Sequence, residues 1–181
     1  MIKTKSIFFF FTFLFLIANY SYSQSNNDVN THVTVDFKIR NLGFNVDGYF
    51  KDTKMNVLFN KNDLANSSIS GKVSVKSINT DIEKRDEHLK QEDYFDAKKY
   101  PYILFKSSKI IFKSGDTYNV TGELTIKNTT KEITIPFKIK NTTSGLELST
   151  YFEINRRDYK VGGSSFALSN TAKISITYLK K

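Results

Sequence analysis

Residues 33–50 read VTVDFKIRNLGFNVDGYF. Val33, Val35, Phe37 and Ile39 alternate with Thr34, Asp36, Lys38 and Arg40, so an extended chain here has one apolar and one polar face. That is the pattern of an antiparallel strand with one side on a core and the other in water. Asn41-Leu42-Gly43 supplies turn chemistry, and Phe44, Val46, Gly48 and Phe50 then resume the alternation. Two strands joined by a short turn are therefore expected in this stretch alone.

The same period of two runs through nearly everything that follows. Met55, Val57 and Phe59 come next, then Ile69, Gly71, Val73 and Val75. Further runs are Ile103 to Phe112, Tyr118 to Ile126, Ile133 to Ile139, Leu146 to Ile154 and Ala172 to Tyr178, separated by Asn, Asp, Gly and Ser. About eight or nine strands at hairpin spacing indicate an all-β barrel or sandwich. Gly48, Gly71 and Gly122 fall inside strand patterns, where glycine marks a bend, a bulge or a close approach, and three of them favour a sheet that curls. Full closure also removes exposed edges. One stretch breaks the pattern. Thr80-Asp81-Ile82-Glu83 reads as a capping box opening a short helix near Thr80 to Lys90, with Ile82 and Leu89 on the face that docks over the sheet. Tyr94, Phe95 and Tyr100 lie in the loop beyond, and Pro101 leads into a strand.

Composition removes many chemistries. The 181 residues contain no Cys and two His, His32 and His88, which excludes thiol nucleophiles, Cys-ligated metals and a multi-histidine cage. No metal site and no catalytic residue is expected. Lys3, Lys5, the apolar run Ser6 to Ala18 and the small residues Ser21 and Ser23 form an expected signal peptide over residues 1–23, with cleavage near Ser23-Gln24. Residues 24–181 are then the mature domain, expected in the periplasm or secreted. The net charge of +9 falls to +7 on removal of the two lysines. Only Arg40, Arg85, Arg156 and Arg157 are arginines and the lysines are scattered, which argues against a nucleic-acid partner and leaves room for peripheral contact with an anionic membrane surface.

The stretch SINTDIEKRDEHLKQEDYFDAKKYPYILFKSSKI, Ser77 to Ile110, resembles the central signature of the YceI-like family. Ser77, Thr80, Arg85, Asp86, His88, Leu89, Asp93, Phe95, Asp96, Tyr100, Pro101, Phe105 and Ser107 stand at matching places, with Tyr94 where a Phe is usual. Phe37 to Phe50, Tyr118 to Phe137 and Phe152 to Gly162 are similar to flanking pieces of the same family, in the same order. Asn128 stands where the second piece usually has Gly, and it is expected to keep the turn because Asn tolerates left-handed geometry. The resemblance implies an eight-stranded antiparallel, lipocalin-like barrel that binds a polyisoprenoid or similar amphiphilic lipid, with no catalytic residues.

On the residues alone, Phe37, Phe44, Val46, Phe50, Val57, Val73, Phe105, Val120 and Leu124 are candidates to line such a lumen, with plain core filling as the alternative for each. Arg85, Asp86, His88, Arg156 and Asp158 form either a polar mouth that receives a head group or a hydrogen-bonded network that fixes the helix. The expected function is sequestration of an amphiphilic lipid, isoprenoid or quinone-like, held without covalent chemistry or a cofactor. Two other readings stand beside it. A packed barrel acting in stress response or as a structural interaction protein would have no cavity. An enzyme acting on an amphiphile would need Asp86 with His88, or Arg156 with Asp158, converging in the pocket. The oligomeric state and the identity of the lipid are not legible.

Overall fold

The structure, a computed structural model, describes residues 30–143 and 145–181. The expected signal peptide and its cleavage point lie outside the described residues. Ten strands and one α-helix follow in the order β1 (Thr31–Asn41), β2 (Phe44–Phe50), β3 (Thr53–Leu58), β4 (Ser68–Ser74), β5 (Ile78–Asn79), α1 (Glu83–Leu89), β6 (Tyr102–Ser114), β7 (Thr117–Ile126), β8 (Thr129–Thr142), β9 (Gly145–Asn155) and β10 (Leu168–Lys180). All pair antiparallel in a single sheet of order β3-β4-β6-β7-β8-β9-β10-β1-β2-β5. The all-β antiparallel fold is as expected, and the strand count is slightly higher. β2 and β3 are one alternating run bent at Lys51-Asp52, and β5 has only two residues. Eight long strands remain once that run is counted once and β5 is set aside.

The sheet curls because its inner face is apolar and must be covered. The chain's two ends meet in it, Thr31 opposite Lys180 and Ile39 opposite Ala172. At the far side β3 comes round to β1, where the Thr53 hydroxyl donates to the Val33 carbonyl at 3.1 Å. Gly122 shows why the strands can bend so far. A Cβ there would sit 2.7 Å from Ser107 Cα and 2.5 Å from the Lys106 carbonyl oxygen, so only glycine admits the close approach of β6 to β7. The register slips between Ser107 and Lys109 at this same place. That bulge moves the inward phase of β6 from odd to even positions, so Ile103 and Phe105 face in before it and Ile110 after it.

The barrel is filled at one end only. Ile69, Ile110, Tyr118, Val120, Ile135, Phe137, Ile139, Leu148 and Tyr178 form a dry core, with Val57, Phe59 and Leu64 packed against it. At the other end Leu124, Ile126, Tyr159 and Val161 pack with Tyr94 and Phe95 from the loop after α1. Three local expectations are revised. The capping box does not form: the residue before α1 is Ile82, without a side-chain cap, and the Thr80 hydroxyl bonds the Asp86 carboxylate instead. Ile82 does not dock either, being 52% exposed, because the helix starts after it and turns Leu89 inward. In the β7–β8 turn the positive φ falls on Lys127 (54°) and not on Asn128, so the turn survives by a different residue.

Gly122→Ala is expected to lower stability by about 1–3 kcal/mol through overpacking. Gly71→Ala is expected to stay within about 0.5 kcal/mol, since its Cβ would meet only the Lys54 carbonyl at 4.0 Å. Urea titration of the two variants beside the parent checks the contrast.

Candidate functional site

Between the dry core and the loop that follows α1 lies a cavity of about 400 Å³. Alternation places its walls: Val33, Val35, Phe37 and Ile39 from β1, Ala172, Ile174 and Ile176 from β10, Phe152 and Ile154 from β9, and Ile103 and Phe105 from β6. Phe50, against Phe37 at 5.6 Å and Phe95 at 6.5 Å between ring centres, joins the wall to the loop. Arg85, His88 and Leu89 of α1, Asn41 and Val46 of the β1–β2 hairpin, Ser165 before β10 and Leu168 at its start also border it.

Of the nine apolar candidates, Phe37, Val46, Phe50, Val73, Phe105 and Leu124 line this cavity. Three do not. Val120 is fully buried in the dry core and Val57 packs on that core, so both face inward at the wrong end of the barrel. Phe44 has the inward phase of Val46 but sits at the strand end opposite Asn41, beyond the rim, and is 77% exposed. Ile103, Ile126, Phe152, Ile154, Ala172, Ile174 and Ile176 were not among the candidates. Each belongs to an inward phase that the alternation already marks, so strand parity carried the signal.

The polar candidates separate into different roles. Arg156 is 5% exposed and borders the cavity. It has five donors. Nε donates to the Ser169 carbonyl (2.8 Å), Nη1 to the Val161 and Gly163 carbonyls (2.8 and 3.0 Å), and Nη2 to the Leu168 carbonyl and Asn170 Oδ1 (3.2 and 3.4 Å). The guanidinium thus clamps the segment 161–170 that forms one lip of the mouth, and no donor remains for a guest. Burial, the largest influence, pulls its pKa below the ordinary arginine value. Asp158, two residues on, points away and pairs with Lys131 at 3.3 Å.

Asp86 is buried beneath α1, where it accepts from the Thr80 amide at 2.9 Å and from the Thr80 hydroxyl. Arg85 Nε and Nη2 donate to the Thr80 hydroxyl and carbonyl at 2.8 and 2.6 Å. Thr80 is therefore the knot that holds α1 to the strand end, which leaves Arg85 at the cavity with no carboxylate pairing it among the described residues. His88 borders the cavity too, with its Nε2 hydrogen-bonded to Asp93 at 2.9 Å and its ring edge-on to Tyr94 at 4.9 Å. Neither Asp86 with His88 nor Arg156 with Asp158 converges on the cavity, and no carboxylate lines it among the described residues.

A curled antiparallel sheet, packed at one end and hollow at the other, with an apolar cavity closed by a helix and loop, defines a small barrel with an internal hollow. The chain belongs to the YceI-like family: the model of the YceI-like domain matches residues 27–178. Protein YceI of Escherichia coli is 32% identical over 109 residues, covering 60% of this chain and 56% of that one. The alignment thus spans little more than half the length of such relatives. Among solved structures, BcnA of Burkholderia cenocepacia is similar with a TM-score of 0.79 and 25% identity, over 82% of this chain and 96% of that chain. A polyisoprenoid binding domain from Saccharophagus degradans shares the fold, with a TM-score of 0.66 and 12% identity over 82% and 94%.

Arg156→Lys keeps the charge but cannot satisfy five acceptors with three donors. A loss of about 3 kcal/mol is expected. Hydrogen exchange should quicken in segment 161–170 before it does in β7 or β8.

Proposed function

We propose that the mature chain is an exported binding protein that holds a polyisoprenoid or similar amphiphilic lipid, isoprenoid or quinone-like, in the barrel cavity. The observation that carries this reading is the cavity itself. At about 400 Å³ it lies within the range of roughly 300–1,000 Å³ typical of small-molecule sites, and its walls are almost wholly aliphatic and aromatic. The ligand of the Saccharophagus degradans domain, a polyisoprenoid, supports the chemical class. The expected signal peptide supports delivery to the periplasm or beyond.

The mechanism is sequestration. An apolar tail leaves water at roughly 25 cal/mol per Å² of surface buried, and the polar head stays at the mouth between α1 and segment 163–168. Arg85 is the side chain best placed to meet that head, since Arg156 and Asp86 are committed to the fold. No bond is made or broken. The packed-barrel reading expects no hollow of this size, and the enzyme reading expects a polar cluster inside it.

Native mass spectrometry of protein purified from its own host should show an added mass, and organic extraction should release an isoprenoid-type lipid. Ala172→Trp, which fills the wall with an indole, should cut that occupancy about tenfold or more while the far-ultraviolet circular dichroism stays that of the parent. Protein that carries no lipid and takes up none from added polyprenol would overturn the reading.

A further inference from the structure

Three large apolar side chains project into solvent beside the cavity mouth. Leu42 and Phe44 are 66% and 77% exposed in and just after the β1–β2 turn, and Phe166 is fully exposed in the loop before β10. The two segments are fastened together, the Leu42 amide donating to the Ala167 carbonyl at 2.9 Å. The same segments supply Asn41, Val46, Ser165 and Leu168 to the cavity border. An apolar surface thus runs from the inside of the barrel, over its lip, to three protruding tips.

We propose that this lip docks on an anionic lipid bilayer, with Leu42, Phe44 and Phe166 entering the interface so that the cavity opens against the membrane. The shape fits a membrane better than a peptide, because the tips are convex and offer no groove for a chain to lie in. Charge fits as well. Arg40 stands two residues from Leu42 and spends one bond on the Gly43 carbonyl at 3.3 Å. Lys84 is exposed on α1, next in sequence to Arg85, which borders the cavity. Arg40, Lys84 and Arg85 have no carboxylate partner among the described residues. Of the acids on and around α1 and the β1–β2 hairpin, Asp47 is engaged by Lys38, Glu87 by Lys90, Asp93 by His88 and Asp86 by Thr80, while Asp81, Glu83 and Glu92 have no ion pair among the described residues. Apolar insertion flanked by unpaired cations is how peripheral proteins bind anionic surfaces, and added salt weakens the charged part. This inference draws on the lipid-carrier reading only for its purpose, since a membrane is where such a cargo resides.

The test is flotation of the full mature protein with vesicles of phosphatidylglycerol and phosphatidylcholine in equal parts, and with phosphatidylcholine alone. The parent should float with the anionic vesicles, less so in high salt, and weakly with the neutral ones. Phe44→Ser with Phe166→Ser should reduce flotation about tenfold. Arg40→Gln with Lys84→Gln should abolish the preference for anionic vesicles. Native mass spectrometry of the same samples should show unchanged cavity occupancy in both double variants, since none of these four residues lines the cavity. A parent that stays in the soluble fraction, or a Phe44→Ser, Phe166→Ser variant that floats like the parent, would overturn docking. So would a parent dimer on gel filtration that this variant dissolves, which would assign the tips to self-association. An empty cavity with normal, tip-dependent flotation would sink the carrier reading and leave docking standing.

Discussion

A sheet with one apolar face has to hide that face, and in this chain it has only itself to hide it with. α1 has seven residues and the long connections carry little other structure, so among the described residues no second layer covers the sheet. Curling is the remaining solution, and it sets the rest. The radius follows from eight long strands, which is the width at which inward side chains just meet or just fail to meet across the interior. Where they are bulky and the chain folds Phe59 and Leu64 under them, as around Phe137 and Tyr178, they meet and the end is dry. Where Gly71, Val73 and Ala172 face in, they fail to meet and a hollow remains.

The polar groups at the open end follow from that hollow. Lip segments without regular partners leave backbone carbonyls pointing inward, and buried carbonyls need donors. Arg156 meets five acceptors at once, which a lysine or a water cluster would do less completely, and it needs no acid because its charge lies against a ring of carbonyl dipoles. Asp86 and Thr80 do the corresponding work under α1. Residues that look functional by type are thus consumed by the architecture. The side chains that keep unsatisfied capacity, Arg85 above all, are those displaced from these knots toward the opening.

The fold was legible because period-two alternation is a direct record of which side chains face a core, and nearly every residue on the inward phase does face in. What alternation leaves open is depth along the barrel. Val120 and Leu124 share one strand and one phase, yet the first lies in the dry core and the second on the cavity wall. Phe44 shows the same limit at the rim. Parity is local, whereas depth depends on how strands stagger against one another, and the stagger is altered by the bulges at Ser107/Lys109 and Ile39/Asn41. The capping box failed for a related reason. Thr80 and Glu83 have the right spacing, but the first turn of the helix delivers Asp86, whose buried carboxylate takes the Thr80 backbone N–H that Glu83 would have accepted and also accepts from the hydroxyl meant to cap the Glu83 amide.

A lipid carrier faces a constraint that a storage protein does not. Its cargo has an alternative home in the bilayer, where the tail is as well hidden from water as inside any protein, so the hydrophobic effect favours neither side. Selectivity and exchange must then come from what differs between the two sites: the shape of the hollow, the head-group contacts proposed for Arg85, and the height of the aqueous barrier between them. A mouth whose rim already sits in the interface removes that barrier without tightening the binding. On the docking proposal, an apolar lip around an apolar cavity is therefore a kinetic device more than a source of affinity, which would give Leu42, Phe44 and Phe166 a reason to face water.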